Sequence, residues 1–204
     1  TNIPGATASS YTRTNAQPAD MGPYSVVVSN VVGSVMSSNA NLMVVVSPGV
    51  ISVTGIPYTE DFDSMGNSGT STPFGWYVGT GSGAVSSTTV TVGDGSSSSR
   101  ANYNFGSSGS PDRALGSLAG NSLQRDTEAR FINVSGLFIA SLNINYSGEQ
   151  WRRGGNNAVN NQLVLQYSTD GTTFTPLGAV FNFDTPIDSG SATALDGNAP
   201  ANRV

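Results

Sequence analysis

The residues best suited to chemistry stand in one short run, SGEQWRRGGNN, at 147–157. Glu149, Gln150, Trp151, Arg152 and Arg153 meet there in a chain of which only 10% of residues are charged. Three uses fit these residue types. With a second carboxylate about 5–9.5 Å away, Glu149 would serve glycoside hydrolysis, and Asp126 or Glu128 would have to be folded close to supply it. As a glycan site, Trp151 would stack on a sugar face while Glu149, Gln150 and Arg152 bond the hydroxyls. As structure, Trp151 would cap the open end of a sandwich and an arginine would pair with Glu149, both shielded from water.

The remaining composition narrows the choice. The 204 residues hold no Cys and no His, and all eight basic residues are Arg. A disulfide, a thiolate zinc site, a Ser-His-Asp relay and a lysine Schiff base are therefore excluded within this chain. Catalysis would rest on carboxylates, Tyr or Arg, and the expectation is that the chain is not an enzyme. A net charge of -5 argues against a nucleic-acid partner, because phosphate binding needs a basic surface. No apolar run approaches the roughly 20 residues that span a bilayer; the longest, LMVVV at 42–46, is strand-sized. With no initiator Met and no signal peptide at its start, the chain reads as a mature piece of a larger parent protein.

Those side chains must be positioned by strands. Gly reaches 25, Ser, Thr and Asn are abundant, and runs at helical spacing are missing. Period-two patterning recurs instead. VSSTTVTV at 85–92 alternates, and FIASLNINY sets Phe138, Ala140, Leu142, Ile144 and Tyr146 on one face. QLVLQYS groups Leu163, Leu165 and Tyr167, and AVFNFD offers Phe181 and Phe183. The class is all-β. SGEQWRRGGNN then begins a connection of about 15 residues between strands, a length that is often functional.

Residues 1–46 carry Asp20-Met21-Gly22-Pro23-Tyr24-Ser25-Val26. Asp20 can cap the turn, Gly22 allows the tight backbone, and Tyr24 supplies a corner hydroxyl. The run resembles the D-x-G-x-Y-x-C signature of immunoglobulin-like domains, with Val26 where Cys is usual. The resemblance implies the C-terminal part of such a domain, its core filled by aliphatics: Val26 and Val28 on one strand, Leu42, Val44 and Val46 on the next. Its earlier strands would come from upstream sequence or another chain. SPGVISVTGIP at 47–57 reads as a stiff linker.

From 58 to 204 the ordered set YTEDFDSMG, PFGWYV, YNFGSSGSPDRALGSLA, ARFIN, LNINYSGEQWRRGG, LQYSTDGTTFTPL and ALDGNAPANRV resembles bacterial secreted jelly-roll modules. The opening is similar to cleaved-adhesin and MAM-type sandwiches. The resemblance implies a jelly-roll β-sandwich, incomplete at its C-terminal end, from an exported bacterial surface or extracellular protein. It also implies roles in adhesion, glycan contact or decoration of a secreted hydrolase. Partners would be like subunits, other domains of the parent, or surface glycans.

Three further groups have a site reading and a plain one. Glu60, Asp61 and Asp63 are hard oxygen ligands close enough to contribute to a structural Ca²⁺ site, which related jelly rolls often carry near this corner. Equally, they would keep an edge strand charged. Asp112 after Pro111 suits a turn cap, and Arg113 would pair with a carboxylate across the loop. In YSTDGTTFTPL, Asp170-Gly171 is a type I′ hairpin signal without the further acidic positions of a calcium loop.

Overall fold

The computed structural model describes residues 3–13, 20, 22–42, 49–53, 55, 57–81, 83–120, 123–155 and 161–204. Among these the chain is all-β: strands of two to five residues, and no helix beyond three-residue 3-10 turns. No helix of the described residues is long and apolar enough to cross a membrane. Two compact units divide after residue 48, and each is described by itself.

The first unit is built on a hairpin. Gly22–Tyr24 pairs antiparallel with Ala40–Leu42, and Val27–Ser29 with Ser34–Met36. The tip closes on Asn30, whose side-chain oxygen accepts the N–H groups of Val32 and Gly33. The Tyr24 hydroxyl donates to the carbonyl of Asp20 at 2.6 Å, and Gly22 stands at φ 142°. Val26 corrects the sequence expectation. It is 59% exposed and Val28 is 61% exposed, so neither fills a core. No described residue of this unit is buried. An alternating strand buries its apolar side only if something lies on it. Val44 and Val46, expected on the next strand, lie outside the described residues.

The second unit starts at 49, nine residues earlier than expected. Part of the supposed linker is the strand Ile51–Val53, which runs parallel to Phe131–Asn133. Ile51 is buried, so this segment belongs to the fold and is not a spacer. Trp76–Thr80 pairs antiparallel with Arg125–Ala129. A three-stranded sheet joins Thr91–Gly93, Asn102–Phe105 and Ala114–Ser117, with Asn102–Phe105 central. The hairpin around Asp170 is present, with Gln166–Tyr167 paired to Thr175–Pro176. Its turn is not type I′, which needs positive φ at both central residues; only Gly171 has it. Asp170 instead accepts the N–H groups of Thr172 and Thr173.

The central strand explains the core. All four residues of Asn-Tyr-Asn-Phe at 102–105 are buried. Alternation sends Tyr103 and Phe105 to one side, where they pack with Trp151. Asn104 goes to the other side, fully enclosed. Its amide donates to the carbonyls of Gly66 and Gly69, both at 2.9 Å, and its oxygen accepts from the Arg113 guanidinium at 2.7 Å. A second apolar cluster gathers Met65, Val78 and Val90 with Phe62 and Leu115.

One expected strand is missing. Residues 138–146 form no ladder, and Phe138, Leu142, Ile144 and Tyr146 are all exposed. Alternation records a capacity to pair, and no described segment here takes it up.

Candidate functional site

SGEQWRRGGNN holds a bridge at Glu149 and a short strand at Arg152–Arg153, which corrects its reading as a loop. Gly148 exchanges both backbone hydrogen bonds with Val204, at 2.9 and 3.0 Å, and the Gln150 N–H donates to the Asn202 carbonyl at 2.8 Å. The Trp151 carbonyl accepts from Leu195, and Arg152–Arg153 pairs antiparallel with Thr193–Ala194. Residues 148–150 are thus held by 202–204, and residues 151–153 by 193–195. Asn156 and Asn157 lie outside the described residues.

The side chains complete that lock. Trp151 is 4% exposed, and its ring lies nearly parallel to Phe105, 3° between planes and 5.9 Å between centroids. Phe105 in turn stacks on Tyr103 at 4.8 Å. A Cβ on Gly197 would fall 2.3 Å from the indole, so only glycine permits this approach. The indole N–H donates to Glu149 Oε2 at 3.0 Å, and Arg203 Nη2 pairs with Glu149 Oε1 at 3.0 Å. The arginine that neutralises Glu149 therefore comes from the closing ANRV, not from its neighbours. Arg152 donates to the carbonyls of Gly95 and Ser96, and Arg153 to that of Ser191.

Gln150 behaves as a surrogate peptide. Its amide donates to the Ile187 carbonyl at 2.7 Å and accepts the Ile187 N–H at 2.9 Å. This pairs a buried side chain with backbone that would otherwise go unbonded.

Burial pushes the Glu149 carboxyl above its ordinary range. Asp112 and Asp196 act in the same direction, against the Trp151 hydrogen bond and the Arg203 charge. These two aspartates, not Asp126 or Glu128, are the carboxylates that act on it. A raised carboxyl suits a general acid, but each Glu149 oxygen is already engaged by a protein donor. Trp151, enclosed by its stack, presents no face to a sugar. The geometry is that of a corner clamp: Glu149 and Trp151 are brought together, with Arg152 set apart on the 95–96 backbone.

Glu60, Asp61 and Asp63 do not converge. Glu60 Oε1 accepts the Phe62 N–H, Asp61 the Asp63 N–H, and Asp63 the Arg113 N–H across the fold. Each carboxylate caps a different backbone donor, and no group of three or more metal-ligating side chains occurs among the described residues.

Two assignments in SPDRALGSL also change. The Asp112 N–H donates to Ser110 Oγ, so the turn is capped by Ser110. Arg113 reaches no carboxylate with its guanidinium; Nε and Nη2 donate to the side chain and carbonyl of Asn104 at 2.7 Å. Burial holds its pKa below the usual arginine value. This buried Asn104–Arg113 pair is a feature that sequence reasoning missed. Its one signal was polar Asn alternating with aromatics at 102–105.

Against family models, curated proteins and solved structures, the chain matches none.

Proposed function

We propose that the chain is a non-catalytic structural or adhesive module of an exported bacterial surface or extracellular protein. In this reading it is a subunit of a filament or surface layer whose immunoglobulin-like and jelly-roll sandwiches are completed by neighbouring chains. The observation that carries it is the segment 138–146, which has a strand's alternation but joins no ladder among the described residues. Phe138 is 93% exposed and Leu142 67%, and the segment alternates apolar and polar residues without a ladder. Tyr146 ties its end to the body of the unit by donating to the Phe181 carbonyl. A segment with exposed apolar side chains at strand spacing, outside every ladder of the described residues, suits strand addition from another chain. The hairpin of the first unit offers the complementary element, with Val26, Val27 and Val28 exposed and Val31 and Val32 bare at its tip.

Sedimentation velocity over a concentration series tests this. The wild-type chain should associate as concentration rises, and Ile144→Lys or Val28→Lys should hold it monomeric with unchanged circular dichroism. A wild-type chain that stays monomeric throughout would remove the reading.

The second reading is a carbohydrate-binding accessory module of a secreted hydrolase. Its support does not come from Glu149, Gln150, Trp151 and Arg152, which are occupied within the fold. It comes from an exposed ring cluster elsewhere in the second unit.

A further inference from the structure

Two groups of aromatic side chains in the second unit have opposite character. Tyr103, Phe105 and Trp151 are buried, and their rings are consumed by packing. Tyr58, Phe62, Trp76 and Phe131 form a second group that opens to water through Tyr58 and Phe131, 40% and 51% exposed, while Phe62 and Trp76 are half-buried. Phe62 meets Trp76 edge-on at 4.8 Å and 77°, and Tyr58 meets Phe131 edge-on at 5.7 Å and 78°. A chain of hydrogen bonds fixes the rings. The Trp76 indole donates to the Tyr58 hydroxyl at 3.0 Å, and that hydroxyl donates to Glu60 Oε2 at 3.0 Å. Glu60 Oε1 takes the Phe62 N–H, also at 3.0 Å.

A separate observation falls on the same residues. Phe62 sits at φ 66°, ψ 0°, and among the described residues it is the one non-glycine with positive φ. A bulky side chain in the left-handed region is strained and persists where surrounding structure enforces it, characteristically at ligand clamps. Here the strained backbone turns Phe62 against Trp76 and delivers its N–H to Glu60.

We propose that the Tyr58–Trp76–Phe131 cluster, with Glu60 at its rim, is a binding ledge for a neutral sugar ring. Partly exposed aromatic rings match the C–H face of a pyranose, and a phenol and carboxylate beside them match its hydroxyl edge. Glu60 still has acceptor capacity beyond its two internal bonds. The ledge carries a carboxylate and the chain is net negative, so acidic glycans are disfavoured and neutral ones favoured. The site supplies the adhesive half of the proposed function with a ligand class, and it is independent of strand exchange.

Native affinity electrophoresis in gels containing hydroxyethylcellulose, galactomannan or arabinoxylan tests the ledge, with alginate as the acidic comparison. At least one neutral polymer should retard the wild-type chain. Phe131→Ala should weaken that retardation by about tenfold or more, as for the central residue of a small interface. Tyr58→Phe keeps the ring and removes only the hydroxyl; it should weaken binding by a smaller factor and decides the matter if Phe131→Ala misfolds. Ile144→Lys should bind as wild type, which separates this result from the assembly reading. Retardation by no neutral polymer, retardation by alginate alone, or wild-type binding in folded Tyr58→Phe and Phe131→Ala would each overturn the proposal.

Discussion

Tyr24 and Tyr103 make the same bond in different company. Each hydroxyl donates at 2.6 Å to a backbone carbonyl four residues earlier, that of Asp20 and that of Ser99. Around Tyr103 the strand is buried on both sides, between an aromatic stack and the Asn104–Arg113 pair. Around Tyr24 the neighbouring valines face water. The local device is one that sequence can write, because it needs only a tyrosine and a turn at fixed spacing. A core needs a second layer brought from elsewhere in the chain. That is what the first unit lacks among its described residues and what Trp151 supplies to the second.

Removing that second layer should give the largest effect. Trp151→Ala is expected to destabilise the second unit by about 3–5 kcal/mol, the usual loss for a buried tryptophan. Urea unfolding followed by the emission of the remaining Trp76 would read it. A loss below about 1 kcal/mol would mean that the three-ring stack is not what holds this core. In the first unit Val28→Ala should change stability by no more than about 0.5 kcal/mol, as at an open surface position.

Asn104→Ala comes next, at about 2–4 kcal/mol, because it leaves the buried Arg113 Nε–H without its acceptor and the Gly66 and Gly69 carbonyls without their donor, while the residue-104 carbonyl still holds Nη2. Adding Arg113→Met should return part of that loss, since the stranded charge then disappears. A double variant no more stable than Asn104→Ala would show that the glycine carbonyls, and not the arginine, need the amide.

How much of this was legible in the sequence follows the same division. All-β character was legible, because alternation and turn residues are local. So was the corner hydroxyl of Tyr24, which closes within four residues. The lock on Glu149 was legible as a type of contact but not in its partner: Arg152 and Arg153 lay next to it, while Arg203 reaches it only through the pairing of 148–150 with 202–204. The burial of Trp151 rests on Phe105, a contact that no spacing announces. Residues 138–146 misled for the opposite reason. Their pattern is that of a strand, but a ladder needs a neighbour, and the neighbour is not written in the segment itself.

The paired tyrosines can be compared directly. Tyr103→Phe should cost about 1 kcal/mol, one buried hydrogen bond, in the urea midpoint. Tyr24→Phe should alter amide-exchange protection in the Gly22–Tyr24 and Ala40–Leu42 ladder by less than about half of that, since water can replace the hydroxyl. Equal losses would mean that the first unit is better enclosed than its exposed valines indicate.

The smallest effect is a slope, and it weighs burial against charge at the clamp. Burial holds the folded-state Glu149 carboxyl above its unfolded pKa, so the folded chain binds that proton more tightly. The group's stabilising contribution is then complete below the unfolded pKa and fades as pH rises through the folded one. Glu149→Gln removes this titration. The stability of wild type relative to the variant should therefore decline as pH rises above the ordinary carboxylate range and through the raised folded-state pKa, measured as the difference in melting temperature across a buffer series. The Arg203 pair pulls the other way, strengthening as Glu149 ionises. A difference that grows with pH would show that the ion pair outweighs burial at this corner, and that the clamp is held by charge more than by the enclosing stack.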